Sequence, residues 1–260
     1  MPALRDPAAI RSILVSEPQW SVYALGDLAP GFFERSEWFR PPNGPGLALL
    51  FRGFETPVLF TMGAPGAVAA MLDEIGGETP FYLHVRPEIV PVIAARQRIV
   101  ELAEMCRMVL DWKAYRPAPP CDGLARLSSA DLEDLERLYA DGLAAGETPH
   151  FFYPAMLDEG VFYGVREGRE LIAAAGTHLV VPAEGVAAVG NVYTRRDRRG
   201  RGLAARTTSA VVNELAGLTV ALNVGIRNEA AIRVYERLGF RRYCNYFEGI
   251  TAPASAPGPR

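Results

Sequence analysis

The sequence has few of the residues that build metal centres and disulfide frameworks. Its 260 residues include three histidines and three scattered cysteines, Cys106, Cys121 and Cys244. We therefore expect reduced thiols and no metal site. The sequence also has no apolar run long enough to span a bilayer, and its first residues lack the pattern of a signal peptide. These features lead us to expect a cytoplasmic protein with no membrane partner.

A large excess of charge of one sign is also absent. The chain carries 27 basic and 30 acidic residues, so its net charge of −3 gives no reason to expect a nucleic acid as partner. One dense basic run lies at residues 195–201, where arginines are interrupted by Asp197. A nucleic-acid surface is one interpretation of this run, but no other basic face or nucleic-acid motif supports it. The hydrophobic fraction of 49% and the charged fraction of 22% are typical of a soluble globular protein with one large domain or two smaller ones.

The most informative stretch of the chain is residues 189–215. It begins with a β-type run at 189–194 and passes through an arginine-rich turn to Gly200-Arg201-Gly202. Apolar residues then follow at helical spacing. A strand, a glycine loop and a helix N-terminus in this order form a cradle for an anion, because glycines allow close backbone approach and successive N–H groups converge. The helix dipole adds positive charge. The pattern therefore predicts a site for a phosphate or diphosphate.

Two widespread phosphate loops do not fit this stretch. The dinucleotide fingerprint needs a third glycine after Gly202, and a mononucleotide P-loop needs Gly-Lys-Ser/Thr; neither is present. Taken alone, the loop is equally consistent with a tight strand-to-helix turn that carries solvated arginines. The next segment adds the deciding information, because residues 218–224 form an apolar strand, Asn228 begins a helix and Gly239 ends it.

The two segments, NVYTRRDRRGRGLA and LNVGIRNEAAIRVYERLGF, together resemble the GNAT superfamily of acyl-CoA-dependent N-acyltransferases. The second segment has the spacing Asn-x-x-Ala-x-x-x-Tyr-x-x-x-Gly-Phe, and the two motifs occur in the order and separation of that family. The version here is most similar to the branch that includes glycine N-acyltransferases. Asp197 departs from the pattern, since many members have Gln or Arg three residues before the first loop glycine.

The resemblance implies an α/β (α+β) protein with the GNAT fold, in which a mixed central sheet is flanked by helices. The elements predicted for the first half repeat the order of the second half, which suggests a faded internal repeat. We therefore predict a degenerate GNAT-like N-terminal domain at 1–116, a linker at 117–121, a catalytic GNAT domain at 122–249 and a disordered tail at 250–260. Because Pro65 removes a backbone donor from the turn of the first half, we expect no CoA to bind there.

The same resemblance assigns roles to residues of the second half. It implies acetyl-CoA as cosubstrate, with the diphosphate held by the loop and the helix start, and the pantetheine arm paired along a strand edge. Tyr235, two helical turns after Asn228, is implied to be the general acid that protonates the sulfur; a packed core tyrosine is the alternative. The residues implied to bind the cofactor are Val192, Tyr193, Thr194, Arg199, Gly200, Arg201, Gly202, Leu203, Ala204 and Asn228.

No general base is assigned at this point. Glu147, His150 and His178 are candidates by residue type, and each also has an ordinary structural interpretation. The expected function is transfer of an acetyl group from acetyl-CoA to a primary amine of a small molecule or peptide, by direct attack in a ternary complex. The alternative is a catalytically silent protein that binds acyl-CoA as a sensor or partner domain. We expect acceptor specificity to come from the loop at 147–153, the turn between the third and fourth strands and the N-terminal half. The acceptor, the acyl chain and the oligomeric state, a homodimer included, stay open.

Overall fold

The computed structural model of the protein describes residues 4–149 and 151–254. The helices in these ranges are α1 Pro7–Leu14, α2 Pro18–Gly26, α3 Pro65–Ile75, α4 Val90–Ala94, α5 Leu132–Ala140, α6 Met156–Glu159, α7 Leu203–Asn213 and α8 Glu229–Leu238. The strands are β1 Ser36–Phe39, β2 Gly46–Phe51, β3 Val58–Gly63, β4 Tyr82–Val85, β5 Gln97–Leu110, β6 Leu124–Arg126, β7 Tyr163–Glu167, β8 Glu170–Val181, β9 Val186–Thr194, β10 Thr219–Gly225 and β11 Phe240–Pro253.

The chain divides into two compact units. The first unit consists of Met1–Arg107 with Cys244–Arg260, and the second consists of Met108–Tyr243. β5 and β11 each have residues in both units. The domain limits that the sequence suggests, at 116, 121 and 249, stay predictions about independent folding.

The first unit contains a mixed sheet with the strand order β1-β2-β3-β4-β11. β1, β2 and β3 are antiparallel neighbours, β3 and β4 run parallel, and β11 is antiparallel to β4. α3 packs on β2 and β3, where Val68 and Met71 join a buried cluster with Leu59 and Leu83. Removal of this apolar surface from water stabilises the unit, at about 25 cal/mol per Å².

The second unit contains a mixed sheet with the strand order β10-β9-β8-β7-β6. Neighbours are antiparallel from β6 to β9, and β9 and β10 run parallel. Successive residues of a strand point to opposite faces. Accordingly, Ala173 of β8 packs with Leu203 of α7, whereas Ala174 packs with Leu138 of α5. Helices therefore cover both faces, and the predicted α/β architecture of a mixed sheet flanked by helices is confirmed.

One connection pattern occurs in both units. An antiparallel strand pair leads through a turn into a helix, which returns to a strand parallel to the one before it: β2-β3-α3-β4 in the first unit and β8-β9-α7-β10 in the second. A further helix follows in each case, α4 before β5 and α8 before β11. The two turns differ, because α3 begins with Pro65 and α7 follows Gly202. A faded duplication as the origin of this repeated order stays a prediction.

The predicted disordered tail is wrong for residues 250–253, which form the end of β11. Thr251 is 1% exposed, and its backbone N–H donates to the carbonyl oxygen of Phe81 at 2.9 Å. The Phe81 N–H in turn donates to Thr251 Oγ1 at 2.9 Å. These hydrogen bonds, made to a distant part of the chain, order a segment whose composition suggests a flexible end; residues 255–260 lie outside the described part.

Two further observations concern the described residues alone. None of their helices has both the length and the apolar character needed to cross a bilayer. They also contain no group of three His, Cys, Asp or Glu side chains placed to hold a metal ion.

Candidate functional site

β9 and β10 separate partway along their length. Their parallel ladder ends at Val189 beside Leu222, while β9 continues to Thr194 and β10 to Gly225. Beyond the last pair, neither strand gives the other a ladder partner within the part of the chain that the structure describes. Backbone N–H and C=O groups on such an edge can bind a ligand that lies along the strand. The strands thus part where the resemblance places the pantetheine arm.

A β-bulge in β9 lies at the start of this parting. β8 and β9 change register between Ala174 and Gly176, so that Asn191 and Val192 oppose a single residue of β8. Asn191 has a φ of 53° and is 4% exposed. Its carbonyl oxygen accepts a hydrogen bond from the hydroxyl of Tyr139 at 2.8 Å. Bulges interrupt a ladder and redirect side chains, and they are frequent next to functional sites.

α7 begins behind two glycines in the left-handed conformation. φ is 79° at Gly200 and 74° at Gly202, a region that other residues enter only at a cost in free energy. Gly202 is the N-cap residue, and no side chain in the described part of the chain caps the helix. The N–H groups of the first turn, beginning at Leu203, have no partner inside the helix and can bind an anion. A Cβ added at either glycine would meet no atom of residues 4–149 and 151–254 within 4 Å, so the surface beside both is open with respect to these residues.

The arginines around the glycine loop (residues 199–202) form ion pairs with nearby carboxylates. These pairs are Arg195–Glu170, Arg195–Asp197, Arg198–Glu167, Arg198–Asp197, Arg199–Glu147 and Arg201–Glu167, with N–O distances of 2.5–2.8 Å. The acidic partners are all solvent-accessible, so water and salt screen the pairs. The positive charge of Arg199 and Arg201, two of the residues implied to bind the cofactor, is therefore offset by acidic neighbours.

Val192, Tyr193 and Thr194, the predicted strand contacts, form the last part of β9. The buried Tyr193 donates its hydroxyl hydrogen to Asp141 Oδ2 at 2.8 Å, and burial raises its pKa to about 12, with a further contribution from Asp141. The Thr194 carbonyl oxygen accepts from Arg199 Nε at 3.2 Å. Thr194 Oγ1 is buried and has no hydrogen-bond partner among residues 4–149 and 151–254.

Asn228 is the N-cap residue of α8. Its Oδ1 accepts a hydrogen bond from the backbone N–H of Ala231 at 3.1 Å, which satisfies one of the donors at the helix start. The side-chain oxygen therefore has a structural role, and the amide NH2 is the part of Asn228 that can donate to a ligand. Its predicted contact with CoA stays a prediction.

Tyr235 lies two turns further along α8 and is 7% exposed. Its ring packs edge-on against Phe240, with 6.0 Å between the ring centroids. Burial raises the pKa of Tyr235 to about 12, so the phenol keeps its proton at neutral pH. A protonated phenol is the state that a general acid requires.

The three candidate bases differ in their surroundings. Glu147 is exposed, and its hydrogen bond from Arg199 lowers its pKa, which makes it a weaker base. Burial lowers the pKa of His178 to about 4, against a smaller opposing effect of Asn191, so the imidazole is neutral at neutral pH. His150 lies outside the described residues.

Two residues near this site escaped the sequence analysis. Asp141 follows α5 and accepts hydrogen bonds from the Arg196 N–H at 3.0 Å and from the Tyr193 hydroxyl at 2.8 Å. Both bonds lower the pKa of Asp141, and the bond from the Arg196 N–H has the larger effect. Tyr139, at the end of α5, holds the bulge through its bond to Asn191. No motif marks either residue; their one sequence signal is their place at the end of an amphipathic helix.

The first unit has a similar parting, and a tryptophan side chain occupies it. The parallel ladder between β3 and β4 ends at Phe60 beside His84. The indole Nε1 of Trp20, a residue that is 1% exposed, donates to the next carbonyl of β3, that of Thr61, at 3.0 Å. The guanidinium of the fully buried Arg107 lies 5.0 Å from the indole centroid and donates to the Trp20 carbonyl at 2.5 Å.

One protein-family model matches the part of the chain that contains the site. Residues 162–247 match a family model described as FR47-like protein. This range contains the parting strands β9 and β10, the glycine loop, α7 and α8. A search of curated proteins found no match.

Solved structures share the fold. A protein from Novosphingobium aromaticivorans assigned to the GNAT acetyltransferases superposes with a TM-score of 0.59 and 26% identity, over 90% of this chain and 97% of that one. A GCN5-related N-acetyltransferase from Kribbella flavida gives a TM-score of 0.58 and 18% identity, over 90% and 95% of the two chains. A GCN5-related N-acetyltransferase from Sphaerobacter thermophilus gives a TM-score of 0.55 and 15% identity, over 99% of this chain and 96% of that one. The chain therefore has the fold of the GNAT acetyltransferases. The predicted similarity to the glycine N-acyltransferase branch stays a prediction.

Proposed function

We propose that the protein is an N-acetyltransferase that moves an acetyl group from acetyl-CoA to a primary amine of a small molecule or peptide. The observation that carries this proposal is the parting of β9 and β10 beside the uncapped N-terminus of α7. The helix end offers N–H groups to a diphosphate, and the strand edge offers backbone partners to an extended arm that contains amides. The FR47-like match and the shared GNAT fold support the same chemistry.

The residues of the second unit suit the parts of acyl-CoA. Gly200 and Gly202 let a diphosphate approach the backbone, and the N–H groups from Leu203 onward would hold it. Along the strand edge, the orphaned Oγ1 of Thr194 is a buried polar atom in need of a partner, which the amides of a pantetheine arm would supply. The amide NH2 of Asn228 is a further donor for that arm. Acetyl-CoA brings the acetyl group as a thioester.

Tyr235 is proposed to act as the general acid. When the amine nitrogen attacks the thioester carbonyl, a C–N bond forms, the C–S bond breaks, the nitrogen loses a proton and the sulfur gains one. The phenol of Tyr235 carries the required proton over the neutral range, because its pKa is about 12. Glu147 and His178 stay candidates for the base, and the lowered pKa of each limits its strength.

Acyl-CoA is proposed to bind once per chain, in the second unit. In the first unit, the Trp20 indole occupies the edge of β3 by bonding the Thr61 carbonyl. Pro65, at the first position of α3, has no N–H to offer a phosphate. Both features support the prediction that the first half binds no CoA.

The loop arginines support an interpretation without nucleic acid. Arg195, Arg198, Arg199 and Arg201 each pair with a carboxylate of the second unit. The basic run extends over only seven residues, 195–201, and Asp197 interrupts it. We therefore keep the prediction that the partner is a small-molecule or peptide amine.

Isothermal titration with acetyl-CoA, combined with thiol release over a panel of amino acids, polyamines and short peptides, tests the proposal. We expect one acetyl-CoA per chain and faster release of CoA with at least one amine. Binding without release for every amine would favour the silent acyl-CoA sensor. Absence of both binding and release would contradict the proposed function.

A further inference from the structure

The side chain of Arg199 folds back onto the end of β9. Its Nε donates to the Thr194 carbonyl oxygen at 3.2 Å, and its guanidinium lies 5.6 Å from the centroid of the Tyr193 ring. Its Nη2 bonds Glu147 Oε2 at 2.5 Å. One side chain therefore joins the glycine loop, the strand edge and the segment that follows α5.

Glu147 belongs to that segment, residues 141–148. At the start of the segment, Asp141 accepts hydrogen bonds from the Tyr193 hydroxyl at 2.8 Å and from the Arg196 N–H at 3.0 Å. Near its end, Glu147 bonds the Arg199 side chain. The segment is thus attached to β9 and its loop at two points, Asp141 and Glu147.

The two attachments differ in how easily a ligand can replace them. The bonds of Asp141 come from a backbone N–H and a buried tyrosine, whereas the attachment at Glu147 is made through a side chain. Arg199 and Glu147 are 45% and 41% exposed, so solvent screens their attraction. A guanidinium forms stronger charge-assisted bonds with a diphosphate, which carries more negative charge than one carboxylate.

The Arg199 side chain contacts a group that the proposed function uses otherwise. The Thr194 carbonyl oxygen belongs to the strand edge proposed to pair with the pantetheine arm. The backbone N–H of Arg199 belongs to the loop proposed to hold the diphosphate, so the guanidinium starts within reach of the phosphates. Acyl-CoA binding therefore competes with Glu147 for the guanidinium and with Arg199 for the Thr194 carbonyl.

We propose that Arg199 is a positioning residue that fastens segment 141–148 to β9 until acyl-CoA binds, and then exchanges Glu147 and the Thr194 carbonyl for the ligand. This inference rests on the proposed function. Once Glu147 is released, the segment remains attached to β9 at Asp141, and the Thr148 hydroxyl still donates to the Tyr139 carbonyl oxygen of α5 at 3.0 Å. The residues between these two points then lose their bond to the glycine loop. The segment precedes and overlaps the 147–153 loop, which is expected to contribute to acceptor specificity.

Replacement of Glu147 by glutamine tests the exchange. Glu147→Gln removes the carboxylate that holds Arg199 and leaves the glycine loop unchanged. Glu170→Gln is the matched control. Glu170 pairs at 2.7 Å with Arg195, which lies, like Arg199, between the end of β9 and the start of α7. Isothermal titration with CoA is expected to give roughly two- to fivefold tighter binding for Glu147→Gln than for the wild type, since no ion pair has to break, and a smaller change for the control. Equal or weaker binding by Glu147→Gln would overturn the inference.

Hydrogen exchange measures the fastening without any reaction. In the absence of ligand, Glu147→Gln should raise amide exchange in residues 141–148 and leave α5 unchanged. Adding CoA to the wild type should raise exchange in the same residues. Slower exchange there on CoA binding would overturn the proposed release. A wild type that fails to bind CoA would overturn both the release and the proposed function, whereas failure of Glu147→Gln alone would remove only the role of Arg199.

Discussion

Replacement of Gly202 by alanine separates the backbone cost of the glycine loop from its ligand-binding role. The φ of 74° at this position costs an L-residue about 1 kcal/mol, and the added Cβ meets no atom within 4 Å, so no clash adds to that cost. For a chain of this length, the loss lowers Tm by about 2–4 °C. The same Cβ projects from the turn that the proposed diphosphate approaches. We therefore expect acetyl-CoA affinity to fall by about tenfold or more in isothermal titration.

Gly168 provides a matched control for Gly202. It lies in the turn between β7 and β8 with a φ of 61°, and an added Cβ there also meets no atom within 4 Å. Gly168→Ala should lower Tm by the same amount in scanning fluorimetry and bind acetyl-CoA like the wild type. If the two variants bind acetyl-CoA equally well, the reasoning about the glycine loop is refuted.

Three further predictions concern single side chains. Tyr235→Phe should lower the rate of thiol release by about a hundredfold with unchanged acetyl-CoA affinity, while Tyr243→Phe stays at the wild-type rate; equal rates would exclude the acid role. The pKa of His178 is lowered to about 4 from 6.5. The buried neutral ring is therefore fully compatible with the folded state above pH 6.5. About 3 kcal/mol of the free energy of unfolding is lost as the pH falls from 6.5 to about 4, because only the unfolded chain binds a proton at His178 in that range. In urea unfolding, His178→Gln should reduce the dependence of the free energy of unfolding on pH between 6.5 and 4. The same pH dependence in the variant and the wild type would contradict this prediction. Trp20→Phe leaves the Thr61 carbonyl without its donor and should lower the free energy of unfolding in urea by about 1–3 kcal/mol. Acetyl-CoA should still bind once per chain. A second binding site in this variant would argue against the role of Pro65.

The parts of the site that depend on neighbouring residues could be predicted from the sequence. The strand, loop and helix around Gly200 and Gly202 follow from apolar periodicity and from glycines that adopt positive φ. The start of α8 follows from Asn228, whose side chain caps it. Local rules suffice there because each signal acts within a few residues.

Features that depend on distant residues could not be predicted. The contact between Arg199 and Glu147 joins positions 52 residues apart, and neither residue carries a signal for the other. Thr251 bonds Phe81 across 170 positions, so the end of β11 has the composition of a tail and the structure of a strand. The bulge at Asn191 arises from a register change against β8, which the sequence of β9 alone does not encode.

The start of α7 is proposed to bind the diphosphate of an acyl-CoA. The most direct test uses isothermal titration to compare acetyl-CoA with S-acetylpantetheine. The second ligand carries the same thioester arm but lacks the diphosphate together with the adenosine and its 3′-phosphate. We predict that acetyl-CoA binds more tightly by roughly a hundredfold and that added salt narrows the difference. Equal affinity for the two ligands, or no binding of acetyl-CoA, would contradict the claim.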